Sequence, residues 1–271
     1  SFLKGKSHQL IQILQDHTKF GMYETHKLKS DHEIFERSIF DEIPILKSLK
    51  TKAYQQLGTS GGGNHFVEFG IVKLDDVKPE WNLIPGEYLA VLSHSGSRGL
   101  GANIAKHYTY LAAKQCPLPK QVQHLAWLDL DTHDGQEYWA AMNLAGDYAK
   151  ACHDDIHRRI AKAIGKRIVF NIENHHNFAW KEMVEGTERI VHRKGATPAG
   201  EGVLGIIPGS MTANGYIVEG LGNELSINSA SHGAGRKMSR AKCKSTITKS
   251  FMNSQLKDAG IELIGGSVDE A

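Results

Sequence analysis

Apolar residues recur along this chain with the two spacings that distinguish helices from strands. Helical spacing predicts helices over His8–Asp16, Pro44–Gln56, Ala102–Lys114 and Lys249–Asp258. The longest helical pattern runs from Gly135 to Gly165, and Gly146 predicts a break in it. One stripe of this pattern is expected to be buried and consists of Leu144, Tyr148, Cys152, Ile156, Ile160 and Ile164. His153 and His157 flank the stripe at the spacing of helical zinc ligands, and we interpret them as helix-edge residues.

Short runs rich in β-branched and aromatic residues predict strands between these helices. They cover Phe66–Phe69, Glu87–Ser93, Arg167–Ile172, Glu188–Arg193, Val203–Ile207, Tyr216–Glu219 and Ile261–Ile264. Glu87–Ser93 is expected to be buried because its centre is continuously apolar, and Tyr216–Glu219 is expected to pair with Val203–Ile207. No internal repeat or linker interrupts the pattern, so residues 1–271 are predicted to form one domain.

Composition excludes several classes of protein. Hydrophobic residues make up 40% and charged residues 23% of the 271 positions, and the net charge is only +2. No apolar run is long enough to span a bilayer, and no secretory signal pattern is visible, so we expect a cytoplasmic protein without a membrane partner. The three cysteines are widely spaced, which argues against a disulfide framework or a cysteine-rich zinc site. With 15 histidines in the chain, imidazole is the expected metal ligand.

Histidines in glycine- or asparagine-rich loops occur at strand boundaries. His65 follows three glycines and precedes a strand, His94 ends a strand, and His176 follows another. Three imidazoles brought together from separate strands would bind zinc, manganese, cobalt or iron. In the strand after His65, alternation places His65 and Val67 on one face and Asn64, Phe66 and Glu68 on the other.

Basic residues accompany these loops. Arg98 lies in a strand–glycine loop–helix sequence, where backbone amides and an arginine converge on a phosphate, and a structural ion pair with an acid is the alternative. Arg236 follows the sequence His232-Gly233-Ala234-Gly235, and Lys194 lies in a third loop. His232 could be a phosphate contact, a general acid or a nucleophile toward phosphorus, and a solvated glycine turn is the alternative. The pattern indicates metal-dependent phosphoryl chemistry.

Six motifs in order resemble the RtcB family of RNA-splicing ligases. They are Gly61-Gly62-Gly63-Asn64-His65-Phe66-Val67-Glu68, His94-Ser95-Gly96-Ser97-Arg98-Gly99, His176-Asn177, Lys194-Gly195-Ala196-Thr197, Pro208-Gly209-Ser210-Met211 and His232-Gly233-Ala234-Gly235-Arg236. The resemblance implies an α+β fold with antiparallel sheets around a metal-binding cleft. It also implies a GTP-dependent enzyme with Mn²⁺, expected as two ions. Such an enzyme joins RNA ending in a 2′,3′-cyclic phosphate or 3′-phosphate to RNA beginning with a 5′-hydroxyl, in tRNA splicing or RNA repair.

The same resemblance implies roles for individual residues. His232 would become guanylylated, and Arg98 and Arg236 would contact the RNA terminus or phosphate. The manganese ligands would be His65, His94 and His176. The guanylate and nucleotide contacts would be Asn64, Phe66, Glu68, Pro208, Gly209, Ser210, Met211, Ala234 and Gly235.

This sequence also departs from the family pattern. It contains no Asp-x-x-Cys metal motif of the kind expected near the N-terminus, and no C-terminal lysine matching the guanine pocket. We expect a chain trimmed at both ends, and the residues around His153 suggest a divergent paralogue. Two alternatives remain: a metal-dependent phosphohydrolase or nuclease, and a non-catalytic protein that binds RNA ends. The resemblance leaves open whether an activating protein factor is needed.

Overall fold

Helices dominate the first part of the chain and β-hairpins dominate the second. The computed structural model describes residues 2–233, 235, 238–266 and 268. The chain divides into two compact units, Ser1–Val169 and Phe170–Ala271. Small antiparallel sheets accompany the helices, which confirms the predicted α+β class. No helix in the described part of the chain is both long and apolar enough to cross a membrane.

The first unit contains one hairpin among its helices. Its elements are α1 (Phe2–His17), α2 (Ile39–Glu42), α3 (Pro44–Gln56), β1 (Phe66–Leu74), β2 (Gly86–His94), α4 (Arg98–Gln115) and α5 (His133–Ile164). The bounds predicted for α3 are confirmed to the residue, because Pro44 begins the helix and Gly58 adopts a left-handed φ of 71° just beyond it. β1 and β2 pair antiparallel along their whole length. The expectation that β2 is buried is wrong, because its residues are only half-buried or exposed.

Helix α5 runs through the core of this unit without the predicted break at Gly146. A glycine inside a helix costs about 1 kcal/mol relative to alanine. Burial of Ala145 and Tyr148 on either side of it outweighs that cost. The predicted apolar stripe is confirmed. Its members Leu144, Tyr148, Cys152, Ile156 and Ile160 are buried, and Ile164 is half-buried at its end. One part of the stripe packs on α3 and α4, and its C-terminal part packs on α1 and the hairpin.

The second unit is built from hairpins and two short helices. Its elements are β3 (Asn177–Val184), β4 (Thr187–Lys194), β5 (Ala196–Pro198), β6 (Leu204–Ile207), β7 (Tyr216–Glu219), β8 (Ser229–Ser231), α6 (Arg240–Thr246) and α7 (Lys249–Asp258). The antiparallel pairs are β3 with β4, β5 with β8, and β6 with β7. The predicted pairing of β6 with β7 and the predicted bounds of α7 are confirmed.

Two predicted strands are wrong, and three strands, β3, β5 and β8, were not predicted. Residues 167–172 and 261–264 form no strand, because an apolar run becomes a strand only where a neighbouring backbone satisfies its amides and carbonyls. Strand β3 was not predicted, because its alternation is weak and its charged residues mask it. It forms as the partner of β4 through a tight turn at Glu185 and Gly186, both at positive φ.

Candidate functional site

The β1–β2 hairpin places a phenylalanine and a histidine directly opposite each other at its open end. Phe66 pairs with His94, and their rings stack 5.5 Å apart and within 8° of parallel. On the other face, Val67 and Phe69 pack against the cluster formed by Ile13, Ile156 and Ile160. The predicted separation of Phe66 from Val67 is therefore confirmed, and the hairpin presents His94 away from its core face. Asn64 and Glu68 are exposed near the same end.

His65 lies against the backbone of the glycine loop. A Cβ added to Gly61 would stand 1.9 Å from His65 Nδ1, so only glycine allows the ring to lie where it does. The ring centroids of His65 and His94 are 5.8 Å apart. His65 Nδ1 is buried and makes no hydrogen bond of standard geometry within the described part of the chain.

The electrostatics of this pair favour neutral imidazoles. Burial lowers the pKa of His65, and His94 and Arg98 lower it further, although contact with the Gly62 backbone opposes them. Burial also lowers the pKa of His94. A neutral imidazole offers the lone pair that a metal requires. Because His65 also carries a buried nitrogen without a hydrogen bond, the two histidines fit a divalent ion of the kind that imidazole binds.

Replacing Gly61 by alanine is expected to displace the His65 ring, since the methyl group and Nδ1 cannot occupy the same space. We expect Mn²⁺ to bind about 10-fold more weakly, with only a small change in the free energy of unfolding because the ring can rotate away. Isothermal titration calorimetry with Mn²⁺ measures the first quantity and urea unfolding the second.

The adjacent glycine supplies the matched control. A Cβ added to Gly62 meets nothing within 4 Å, so Gly62→Ala is expected to keep the manganese affinity of the unaltered chain. Equal affinities for the Gly61→Ala and Gly62→Ala proteins would contradict the prediction that His65 is a metal ligand held in place by Gly61.

Arg98 begins helix α4 beside this loop, in a left-handed backbone conformation with φ of 54°. Its Nε donates to Thr59 Oγ1 at 2.9 Å, and its Nη2 donates to the carbonyl oxygen of Gly21. Both acceptors are neutral, and no described carboxylate forms an ion pair with Arg98, so the structural ion pair considered above is not observed. Burial lowers the pKa of Arg98, which nevertheless remains a cation in water. Its charge is therefore not neutralised by a carboxylate in the described structure.

In the second unit, two histidines from separate loops stack on each other. The rings of His176 and His232 lie 3.6 Å apart and within 2° of parallel. Gly195, at φ of 68°, links the loops: its N–H donates to the His176 carbonyl at 2.8 Å, and its carbonyl accepts from the His232 N–H at 3.1 Å. Lys194 ends β4 immediately before Gly195 and is exposed.

The turn between β6 and β7 carries four of the residues predicted to hold the guanylate: Pro208, Gly209, Ser210 and Met211. A Cβ on Gly209 would stand 2.1 Å from the Ala213 carbonyl oxygen, so the turn requires glycine there. Gly209 and Ser210 are exposed, and Pro208 and Met211 are half-buried. A Cβ on Gly233 would reach the Pro208 carbonyl oxygen at 4.0 Å, so this turn lies close to the residue after His232. Gly235 is exposed at φ of 78°, whereas Ala234 and Arg236 lie outside the described residues.

Two polar clusters near these loops were not predicted from the sequence. Ser93 Oγ lies 2.6 Å from His153 Nδ1 and 2.8 Å from His157 Nε2, and the four-residue spacing of the histidines was the only signal. Buried Arg193 forms two hydrogen bonds with Glu182 and stacks over Trp180 at 5.0 Å. Arg193 lies in a strand with several charged residues, where an arginine is ordinarily exposed, so the sequence did not indicate that it is buried.

Comparison with known proteins shows one family that matches nearly the whole chain. The model of a family described as "tRNA-splicing ligase RtcB" matches residues 2–270. An RNA-splicing ligase RtcB from Escherichia coli strain K12 is 38% identical over 212 residues, covering 72% of this chain and 48% of that protein. A tRNA-splicing ligase RtcB from Nanoarchaeum equitans is 32% identical over 254 residues, covering 82% of this chain and 53% of that protein. The chain thus spans about half the length of these curated relatives.

Proposed function

The chain belongs to the RtcB family, and from this membership we propose that it is an RNA ligase that uses GTP and manganese. The proposed substrates are RNA ends bearing a 2′,3′-cyclic phosphate or 3′-phosphate and RNA ends bearing a 5′-hydroxyl. The observation that carries the proposal is the stack of His232 on His176 beside Gly195, in a chain whose family match extends over residues 2–270.

His232 has the role of nucleophile in this proposal. A ring nitrogen attacks the α-phosphorus of GTP, the bond from that phosphorus to the bridging oxygen breaks, and pyrophosphate leaves. The imidazole loses its proton as the nitrogen–phosphorus bond forms. The stack supports this role because it orients the imidazole ring.

Two further displacements complete the reaction. An oxygen of the RNA 3′-phosphate attacks the histidine-bound phosphorus, which releases the imidazole and transfers GMP to the RNA end. The 5′-hydroxyl oxygen of the second RNA then attacks the 3′-phosphate phosphorus, loses its proton, and expels GMP as a new phosphodiester forms. No described carboxylate neutralises the charge of Arg98, which supports a role for Arg98 in binding a phosphate group during these steps.

Histidines are the proposed ligands for manganese. We propose that His65, His94 and His176 bind it, and the buried Nδ1 of His65 and the lowered pKa of both His65 and His94 support the first two. When bound, the ion would neutralise charge on the phosphates. The proposed nucleotide contacts are the residues of the β1 end and of the β6–β7 turn, together with the residues after His232: Asn64, Phe66, Glu68, Pro208, Gly209, Ser210, Met211, Ala234 and Gly235. Arg236 is proposed to contact the RNA end.

The test is covalent labelling of the full-length protein. Incubation with α-³²P-GTP and Mn²⁺ is expected to give a protein-bound label that acid removes and alkali leaves intact, as expected of a phosphoramidate. EDTA is expected to prevent labelling and to stop the joining of RNA 3′-phosphate and 5′-hydroxyl ends. If metal-loaded protein takes up no label but releases phosphate from the RNA end, the phosphohydrolase alternative replaces the ligase. Binding without either reaction would favour the RNA-end-binding alternative.

A further inference from the structure

Ser93 lies between a proposed metal ligand and the longest helix of the first unit. It is the residue before His94 in β2, and strand alternation directs its side chain to the core face while His94 points to the other. Its partner across the hairpin, Val67, packs on the same face against residues of α5. At the end of β2, Ser93 therefore faces α5, and the adjacent His94 faces the opposite side of the hairpin.

The Ser93 hydroxyl contacts two histidines of α5 at once. Its Oγ lies 2.6 Å from His153 Nδ1 and 2.8 Å from His157 Nε2, and the two imidazole centroids are 6.4 Å apart. A serine hydroxyl has one proton to donate and two lone pairs that accept. Ser93 can therefore donate to only one of the two histidines. For both contacts to be hydrogen bonds, at least one histidine must donate to the serine oxygen, which constrains the ring tautomers and the rotamer of the serine.

The helix that carries these histidines is firmly anchored. Cys152, Ile156 and Ile160, which alternate with the two histidines along α5, are fully buried. The hydrogen bonds through Ser93 thus attach the end of β2 to a rigid support. Within the described residues of β2, Ser93 is the last side chain directed to this support before the strand ends at His94.

We propose that Ser93, His153 and His157 are positioning residues that hold His94 in the geometry required for manganese binding. The proposal rests on the proposed function above, in which His94 is a ligand. Metal ligands must be held within about 0.5 Å of their productive positions, and loss of a supporting hydrogen bond lowers metal affinity by about 10- to 100-fold. The Phe66 ring stacked on His94 restrains the imidazole, and the Ser93 contacts restrain the backbone that carries it.

The experiment compares manganese affinities of full-length variants, measured by titration calorimetry and by the electron paramagnetic resonance signal of free Mn²⁺. Ser93→Ala is expected to weaken binding at the affected site about 10-fold. Ser93→Thr keeps a hydroxyl and is expected to remain within about threefold of the unaltered protein. His157→Leu, which cannot hydrogen-bond, is expected to behave like Ser93→Ala, and His157→Gln, which retains a side-chain N–H, is expected to restore much of the affinity.

Ser48→Ala is the matched control, because it also removes a hydroxyl hydrogen bond, to the Ile45 carbonyl, but Ser48 lies exposed on α3. Its manganese affinity is expected not to change. If folded Ser93→Ala protein, verified by urea unfolding, binds Mn²⁺ as tightly as the unaltered protein, the three residues are merely structural and the inference is wrong. His94→Ala separates the two failures: if it leaves manganese affinity unchanged, the metal role of His94 in the proposed function fails. If only His94→Ala weakens binding, the positioning inference alone fails.

Discussion

Replacing His232 by alanine is expected to abolish both the covalent label from α-³²P-GTP and the joining of RNA ends. Alanine carries no nitrogen that can attack phosphorus, and no phosphoramidate can form. Removing the residue that forms the covalent intermediate lowers such rates by at least about 1,000-fold. The measurement is denaturing electrophoresis of labelled full-length protein, followed by a gel assay of RNA ligation with excess Mn²⁺.

His192→Ala is the matched control for this experiment. His192 lies exposed on β4 in the same unit, two residues before Lys194, so its loss removes an imidazole from outside the proposed site. It is expected to retain labelling and ligation. A His232→Ala protein that still carries the acid-labile label would assign the nucleophile to another residue, and one that lost the label but kept full ligation would exclude the histidine–GMP intermediate.

Replacing Asp155 by alanine is expected to destabilise the chain by about 3–5 kcal/mol, the range for breaking a buried ion pair. The Asp155 side chain is 1% exposed and forms ion pairs with Arg158 and, at 2.6 Å, with Arg159. Arg159 is itself only 13% exposed, so removing the carboxylate leaves a largely buried charge without its anion. Urea unfolding of the variant and the unaltered protein measures the difference.

The neighbouring residue provides the control. Asp154 pairs with Lys150 at 3.0 Å on the exposed side of the same helix, and Asp154→Ala is expected to change stability by less than about 1 kcal/mol. Similar losses for the two variants would show that the buried network contributes nothing beyond an ordinary surface pair.

The Asp155 effect should also depend on pH in a defined direction. Burial alone would raise the pKa of Asp155, but hydrogen bonds from Arg159, Ser30 and Arg158 and the charge of Arg159 outweigh burial and lower it below 3.8. A carboxyl group with a lowered pKa in the folded state stabilises the protein fully above its unfolded pKa. That contribution is lost as the pH falls through the folded value. The difference between Asp155→Ala and the unaltered protein should therefore shrink below about pH 4.

The ends of two helices could be predicted from the sequence to the residue, for a physical reason. The bounds of α3 and α7 were predicted to the residue, because a helix satisfies its own hydrogen bonds and its ends are set by local residues such as Pro44. Strand pairing depends on distant residues. The apolar run at residues 167–172 therefore formed no strand, whereas the charged run of β3 became one beside β4. The prediction of a helix break at Gly146 was wrong for a similar reason, because tertiary packing outweighed the low helix propensity of glycine.

The sequence by itself determined the family of this protein and the residue types from which a site could be built, because six motifs and their order are properties of the chain alone. Only the tertiary structure decided which side chains meet. His65 rests on Gly61 because of the conformation of one loop, and His232 stacks on His176 because β5 pairs with β8 and Gly195 hydrogen-bonds to both loops. The contact of Ser93 with His153 and His157 likewise depends on how β2 packs on α5. The histidine stack and the Ser93 contacts join residues far apart in the chain, and no local spacing encodes them, since the free energy that selects them comes from burial and hydrogen bonding across a whole unit.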